Sequence, residues 1–330
     1  MIELLKKDRK REYLNLCTQN YAEAVLIAQE LFPEHYGKAG TGMDPFDSLY
    51  DKALETKERG NTEEEIRILK TAVQNGSAMP YCYERLAILY SKQKNYKRAY
   101  AVCVKWFDAV FWKLPNASTS SLRLFDRLEK LREKVITNMR INLEKAHVEG
   151  IPEYIKNLQA NSNSENFEDF RLEGTAVLML ARAGCGVTMR ESPDLALRFN
   201  NEQFYAEVKH FRLKKQDQYS DTVPPAWEQV YNVAKDKIKQ YKEHSSNILV
   251  IENNDDRIEE LDIPTAIDMI NKDVRSGKCP GLVKLNGIML ISLDWYNISQ
   301  GRKVFFHSAS KPSVPLRREL FFLLDDIRLG

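Results

Sequence analysis

Two carboxylates and a lysine in the second half of the chain have the types and spacing that suit acid–base or metal chemistry. Glu207 and Lys209 are two residues apart in the segment FYAEVK. Side chains two apart on a β-strand point to the same face of the sheet, whereas Val208 between them points to the other face. Residues 200–202 (Asn-Asn-Glu) predict a turn between two strands, and such a hairpin would bring Asp194 beside Glu207.

A pair of carboxylates on a largely apolar sheet requires a positive charge nearby, because repulsion and desolvation otherwise cost several kcal/mol. Mg²⁺ meets this requirement, since it typically binds one or two carboxylates together with water and phosphate oxygens. The ion would lower the pKa of a bound water and polarise a phosphoryl group. Lys209 would orient or deprotonate that water, or stabilise the negative charge that develops. We therefore expect Mg²⁺ as the cofactor, with Mn²⁺ able to replace it.

The dipeptide Pro193-Asp194 and the later tripeptide Glu207-Val208-Lys209 together resemble the signature of the PD-(D/E)XK nucleases, which share the restriction-endonuclease-like fold. That fold runs in the order helix, strand hairpin, helix, strand. The chain shows hydrophobic patterns in the same order over about residues 165–295. The resemblance thus covers most of the second half of the chain.

The resemblance implies a role for each residue of the motif. Asp194 and Glu207 would be catalytic metal ligands, Lys209 would be catalytic, and the backbone carbonyl of Val208 would be a further ligand. The family often adds an acidic residue on the preceding helix, and Glu173 stands at that place. Glu173 is accordingly expected to be both catalytic and metal-binding.

Substrate contacts are expected in two places: on the predicted helix that follows the motif, and in the segment between the motif and that helix. The resemblance implies a polar or basic side chain on this helix, and the candidates are Lys235, Lys237 and Gln240. A basic segment directly after the motif would follow a phosphate backbone, although charged runs are more often solvated loops. Its candidate contacts are Arg212, Lys214 and Lys215. His210, next to Lys209 on a strand, should face away from the site.

A simpler interpretation of the motif has no catalytic role. Glu207 and Lys209 would form an exposed pair of opposite charges on a strand, which contributes only a few tenths of a kcal/mol. Asp194 would then cap a turn.

The first half of the chain contains an internal repeat. A shift of 34 residues aligns Leu49 with Tyr83 and the pair Gly60-Asn61 with Lys94-Asn95. Small residues such as Ala87 would let two antiparallel helices approach closely. Over about residues 46–112 this pattern resembles the tetratricopeptide repeat, a helix-turn-helix unit.

The first copy departs from the tetratricopeptide pattern at Thr56 and Glu65, where a large apolar residue and a small residue are usual. Ser121–Ala146 is predicted to be a long amphipathic helix that would cover the end of the repeats. The family resemblance implies a groove for a protein or peptide partner. A helical scaffold or dimerisation arm is the other interpretation.

The two halves predict a fold of two domains, an all-helical repeat domain over residues 1–158 and an α/β domain over residues 159–330. Polar residues 159–165 mark the boundary. In the second domain, alternating helices and strands predict layers around a mixed central sheet. Predicted strands are Leu195–Phe199, Phe204–Val208, Asn247–Ile251, Ile288–Leu293 and Lys303–His307, and predicted helices are Phe167–Ala183, Trp227–Tyr241, Pro264–Arg275 and Leu316–Ile327.

Composition restricts the classes of function. The net charge of +2 over 330 residues excludes a polycation that binds nucleic acid through bulk charge. The five cysteines show neither CxxC pairs nor zinc spacing, which indicates reduced thiols. Neither a signal peptide nor an apolar stretch of membrane-spanning length is apparent. These features predict a cytoplasmic protein without a membrane partner.

The combined expectation is a Mg²⁺-dependent DNA endonuclease with a helical interaction or regulatory domain. RNA is an alternative substrate, because the metal chemistry does not read the 2′-hydroxyl. A homodimer is compatible with cleavage of both strands. The alternative function is a catalytically silent adaptor that keeps the nuclease fold and binds nucleic acid or a protein.

Overall fold

The computed structural model describes residues 1–6, 9–36, 47–162, 166–210, 224–253, 258–292, 303–309 and 312–327. The chain is a mixed α/β protein that divides into two compact units, Met1–Val135 and Ile136–Gly330. This division lies upstream of the boundary at 158/159 that the sequence predicts. The reason is that residues 151–160 form a helix that packs with the second unit: the Tyr154 hydroxyl donates to the carbonyl of Phe170 at 2.8 Å.

The first unit is helical throughout its described residues. Its helices are α1 (Ile2–Lys6), α2 (Lys10–Gln19), α3 (Tyr21–Leu31), α4 (Pro33–Tyr36), α5 (Asp47–Glu58), α6 (Thr62–Gln74), α7 (Pro80–Lys92), α8 (Tyr96–Asp108) and the start of α9 (Ser118–Lys145). Successive helices from α5 to α8 pack against each other. Among the helices of the described residues, none combines the length and the apolar character that crossing a bilayer would require.

The repeat of 34 residues has a structural counterpart in the turns that start α6 and α8. Asn61 caps α6 by accepting from the backbone N–H of Glu64, at 3.2 Å. Asn95, at position 61 + 34, caps α8 in the same way through Arg98, at 3.3 Å. The residue before each cap has a positive φ, 71° at Gly60 and 57° at Lys94. The two helix pairs therefore have the same turn geometry.

The two departures from the repeat pattern have local explanations. Thr56 is nearly buried and its hydroxyl donates to the carbonyl of Lys52 at 2.7 Å, which satisfies it within its own helix. Glu65 is only 1% exposed, and its carboxylate accepts two hydrogen bonds from Arg85, at 2.6 and 2.8 Å. A buried carboxylate is tolerated because a guanidinium from α7 neutralises it.

The second unit is built on one six-stranded sheet. Its strands are β1 (Gly186–Met189), β2 (Leu195–Phe199), β3 (Glu202–His210), β4 (Ser246–Asn253), β5 (Leu285–Ser292) and β6 (Lys303–Ser308). Its helices after α9 are α10 (Ile151–Ala160), α11 (Phe167–Arg182), α12 (Ala226–Asp236), α13 (Asp262–Arg275) and α14 (Arg318–Asp326). The strands lie side by side in sequence order. The β3–β4 and β4–β5 pairs are parallel and the other pairs antiparallel, so the predicted mixed sheet is confirmed.

Strands β4 and β5 are buried on both faces, as their uninterrupted apolar sequences indicate. Ile248, Leu249, Val250 and Ile251 of β4 are all 0% exposed. One face carries α12 and α13, whose apolar side chains form a core with alternate residues of β4 and β5. Helix α11 packs against β1 and β3. Strand β3, which carries the motif, pairs with β4 of this core and packs against α11.

Two details of the prediction were wrong. Strand β1 was missed because its four residues, Gly-Val-Thr-Met, have no distinct pattern. Helix α12 ends at Asp236 rather than at Tyr241, because the carbonyl of Ala234 accepts from the Tyr241 hydroxyl at 3.2 Å. The following amides of Ile238 and Gln240 then bond three residues back instead of four.

Candidate active site

The motif lies where strand β3 extends beyond its neighbour β2. The antiparallel ladder ends at the pair Leu195 and Ala206, so the last residues of β3 have no β2 partner. One carboxylate oxygen of Asp194 accepts the backbone N–H of Val208 at 2.8 Å. The side chain of Asp194 thus accepts a backbone N–H of β3 beyond the last backbone pair of the β2–β3 ladder. The predicted hairpin does bring Asp194 next to the strand of Glu207.

Glu207 is a buried carboxylate with one oxygen paired and one oxygen open. Its side chain is 1% exposed, and Oε2 accepts from the Lys237 ammonium at 2.7 Å. Within the described part of the chain, Oε1 is buried and has no hydrogen-bond partner. A buried, unsatisfied carboxylate oxygen is costly, so it requires a further positive or proton-donating group.

Lys237 bridges the two carboxylates of the motif. Besides Glu207, its Nζ lies 3.8 Å from Oδ2 of Asp194. The lysine is the residue directly after α12, and its side chain is 18% exposed. Because α12 ends at Asp236, Lys237 is outside the helix, and its side chain lines the cleft. One ammonium therefore lies where two carboxylates converge.

Glu173 on α11 adds a third carboxyl group to the same region. Burial raises its pKa to about 8, and the negative charges of Asp194 and Glu207 act in the same direction, against the partly offsetting charge of Lys237. Burial and the charge of Asp194 also raise the pKa of Glu207, to about 7, while Lys237 opposes this. Both groups therefore hold protons more tightly than ordinary glutamates, as clustered carboxyl groups do.

Glu173, Asp194 and Lys237 line a cleft of about 190 Å³ that is mainly polar, and Glu207 lies buried behind it. Its lining residues are Asp169, Phe170, Glu173, Asp194, Val208, Lys209, His210 and Lys237. Lys209 is exposed, although Glu207 on the same strand face is buried. The cleft therefore has carboxyl groups in its depth and one lysine open to solvent.

Mg²⁺ binds oxygen donors, and this region offers a small set of them. In the described residues, no group of three or more His, Cys, Asp or Glu side chains is arranged to hold a metal ion. Two carboxylates plus water are nonetheless a typical Mg²⁺ environment, and Asp194 and Glu207 supply hard oxygen donors. The open Oε1 of Glu207 is a further oxygen that such an ion could use. The residues fit the ion, whereas the ligand roles of Glu173 and of the Val208 carbonyl stay predictions.

Several predicted contacts lie elsewhere. Lys235 is exposed on α12 with its ammonium 5.7 Å from the ring centroid of Tyr231, and it does not line the cleft. Gln240 does not line it either, because the chain has left the helix before this residue. The predicted backbone-tracking residues lie outside the described part of the chain: Arg212, Lys214 and Lys215.

The expectation for His210 was wrong. It lines the cleft, with Nδ1 at 3.4 Å from Oδ1 of Asp169 on α11. The cleft surrounds the unpaired end of β3, so residues from both faces of this strand reach it. Sequence spacing along one strand cannot reveal an opening at the edge of a sheet.

The sequence did not predict a charged cluster formed by Glu168, Arg171 and Glu252. Arg171 of α11 is 1% exposed, with its Nε at 2.7 Å from Glu168 and a terminal nitrogen at 3.8 Å from Glu252 of β4. Glu252 is 0% exposed. The pair of Arg171 and Glu252 joins α11, and with it Glu173, to the sheet. No local signal identifies this pair, since α11 and β4 are far apart in sequence.

Comparisons of the chain with models of protein families, with curated proteins and with solved structures found no match.

Proposed function

We propose that this protein is a Mg²⁺-dependent nuclease that hydrolyses phosphodiester bonds, with DNA as the substrate and internal cleavage as the mode of action. One observation carries the proposal: Asp194 and the buried Glu207 converge on a single cationic position at the open end of β3. A polar cleft that carries Lys209 at its solvent side adjoins this position. Carboxylates at the inner end of the cleft would bind a metal ion, and a lysine at its solvent side would bind a negatively charged substrate.

Each side chain then has a distinct role. Asp194 and Glu207 would hold the ion, which when bound supplies a water of lowered pKa and a polarised phosphoryl oxygen. Lys209 would bind the reacting phosphate group and stabilise its developing negative charge, since it is exposed beside the carboxylates. Glu173, which lines the same cleft, would be a further ligand of the ion, as the family resemblance implies.

The surrounding fold supports the restriction-endonuclease-like architecture. Helix α11 precedes the sheet, the β2–β3 hairpin carries the motif, and α12 leads into the parallel strand β4. The family's order of elements is the same. We assign residues 159–330 to this architecture on the strength of that order together with the motif geometry.

The helical unit is proposed to bind a protein or peptide partner, and a homodimer would place two clefts on the two strands of a duplex. The repeated caps of α6 and α8 support tetratricopeptide-like packing, which presents a surface to partners.

We further propose a cytoplasmic location. All five cysteines are free thiols and four of them are buried, which suits a reducing compartment.

The test is cleavage of plasmid, linear duplex and single-stranded DNA, and of RNA, with Mg²⁺ or Mn²⁺. Wild-type protein is compared with Asp194→Ala and Lys209→Ala, and Lys239→Ala, an exposed lysine outside the cleft, is the matched control. Metal-dependent cleavage that is lost in the first two variants and kept in the third is the expected result. Intact nucleic acids of every kind after incubation with folded wild-type protein would refute the proposal.

A catalytically silent adaptor is the second candidate. It is favoured by the fact that Lys237 already neutralises the two carboxylates, so the site holds a cation of its own. Under this alternative, folded protein would bind nucleic acid or a protein without affinity for divalent ions. Calorimetric titration with Mn²⁺ separates the two candidates.

A further inference from the structure

We propose that Lys237 is an internal counterion that competes with the divalent ion for Asp194 and Glu207, so that metal binding releases its ammonium to contact the phosphate substrate. The inference rests on the proposed function, because it concerns the same metal site. It adds a regulatory step and assigns a substrate-binding role to a residue outside the motif.

The geometry of Lys237 matches that of a cation bound between two carboxylates. Its Nζ is 2.7 Å from Glu207 Oε2 and 3.8 Å from Asp194 Oδ2. A divalent ion that lies between the same two carboxylates needs the space that the ammonium occupies, even if it also binds the open Oε1 of Glu207. The ammonium and the ion therefore exclude each other at these oxygens.

The attachment of Lys237 allows this exchange. The residue lies directly after the end of α12, where hydrogen bonds three residues back replace those of the helix. Its side chain is 18% exposed, whereas that of Glu207 is 1% exposed. Lysine has a long flexible stem, so the ammonium can leave the carboxylates without any movement of β3.

Displacement moves the ammonium within the cleft and not into the core. Lys237 and Lys209 both line the cleft, and Lys209 is exposed at it. A released Lys237 would therefore join Lys209 as a second positive charge facing the substrate. Phosphate oxygens are its expected partner, because the ion then neutralises the carboxylates that held it.

This exchange couples metal binding to substrate binding. Without the ion, the ammonium is bound to the carboxylates and the cleft offers one free lysine among its described lining residues. With the ion, it offers two. Suppose that the ammonium of Lys237 is away from the carboxylates in about one-tenth of the molecules. The measured affinity for the metal is then about tenfold lower than the affinity of a site without the lysine. Removal of the lysine should therefore tighten metal binding, which is opposite to the effect expected for a metal-binding or purely structural residue.

The experiment is calorimetric titration of Mn²⁺ into full-length wild-type, Lys237→Met and Lys237→Arg proteins, with Lys239→Met as the matched control. We expect about tenfold tighter Mn²⁺ binding in Lys237→Met. Lys237→Arg keeps a cation between the carboxylates and should resemble wild type, as should Lys239→Met.

A catalytically silent double variant, Lys209→Met with Lys237→Met, then serves to measure duplex DNA binding in the presence of Ca²⁺. It should bind more weakly than Lys209→Met alone.

The outcomes separate the inference from the proposed function. If folded Lys237→Met binds Mn²⁺ no more tightly than wild type, the competition is refuted while the metal-dependent nuclease stands. If neither wild type nor Lys237→Met binds Mn²⁺, the proposed metal site fails and the inference fails with it. If Mn²⁺ binding tightens but DNA binding is unaffected, the release of Lys237 to the substrate is refuted.

Discussion

The carboxylate of Asp194 accepts the backbone N–H of Val208 at 2.8 Å, at the point where the β2–β3 ladder has ended. This bond gives Asp194 a structural role besides its proposed role as a metal ligand. The same oxygen, Oδ2, lies 3.8 Å from the ammonium of Lys237. One carboxylate thus joins the end of a strand to the charged part of the cleft.

The two roles of Asp194 can be separated by substitution. Asp194→Asn keeps an oxygen acceptor for the Val208 N–H, so its free energy of unfolding should stay close to that of wild type. Asp194→Ala removes the acceptor and should lose about 1–3 kcal/mol, the usual cost of an unsatisfied buried amide. Both variants should lose cleavage, because each removes an anionic oxygen. Urea denaturation together with the cleavage assay measures this, and equal destabilisation by Asn and Ala would contradict the structural role.

The raised pKa values of Glu173 and Glu207 predict how stability depends on pH without metal. Their pKa values rise from 4.5 to about 8 and about 7 on folding, so the folded state binds more protons than the unfolded state between these values. Stability is therefore greatest below about pH 4.5 for these groups, and it falls as the pH rises towards 8. Urea denaturation at several pH values in the presence of EDTA should show this decline.

Glu173→Gln isolates the contribution of one carboxyl group to that decline. The variant should be more stable than wild type by up to about 5 kcal/mol at pH 9 and close to wild type at pH 5. It has no acid to ionise, so its stability should depend less on pH. A wild-type and a variant curve with the same slope would contradict the assignment of the raised pKa to Glu173.

Gly174, next to Glu173, permits the close contact that holds α11 in place. A Cβ at this position would lie 2.2 Å from the Tyr154 hydroxyl and 2.8 Å from the Met139 sulfur. Tyr154 cannot move freely, because it is 4% exposed and its hydroxyl donates to Phe170. Gly174→Ala should thus destabilise the protein by about 1–3 kcal/mol. It should also reduce cleavage by displacing Glu173.

Gly186→Ala is the matched control for this substitution. Its Cβ would meet only atoms of Arg198, at 3.8 Å, which is an ordinary contact. Its melting temperature should stay near that of wild type. Similar melting temperatures for Gly174→Ala and wild type would show that α11 can adjust at no cost.

The buried pair of Glu65 and Arg85 should stabilise the helical unit only as a pair. Arg85→Met leaves the carboxylate of Glu65 buried and unpaired, which should cost about 3 kcal/mol. The double variant Glu65→Leu with Arg85→Met should recover most of this loss, because an apolar pair needs no counterion. The exposed pair of Arg67 and Glu64 is the control, and Arg67→Met should leave the free energy of unfolding close to that of wild type. Circular dichroism during urea denaturation measures all three, and an unrecovered double variant would contradict the argument.

Local pattern was sufficient to predict much of the second unit. Uninterrupted apolar segments predicted strands β4 and β5, because buried strands require apolar side chains, and the turn at residues 200–202 predicted the β2–β3 hairpin. The boundary at 158/159 was less well determined. Helix α10 has the same local character as those before it, and only its packing on α11 assigns it to the second unit.

The sequence by itself determined that Asp194, Glu207 and Lys209 meet at the end of a hairpin, since turn residues and the two-residue repeat of a strand are local properties. Only the tertiary structure decided that Lys237 holds the two carboxylates, that His210 reaches the cleft, and that Lys235 and Gln240 do not. These placements depend on where α12 ends and where β2 stops pairing with β3. Both are set by contacts between segments distant in the chain, and such contacts leave no periodic trace in the order of residues.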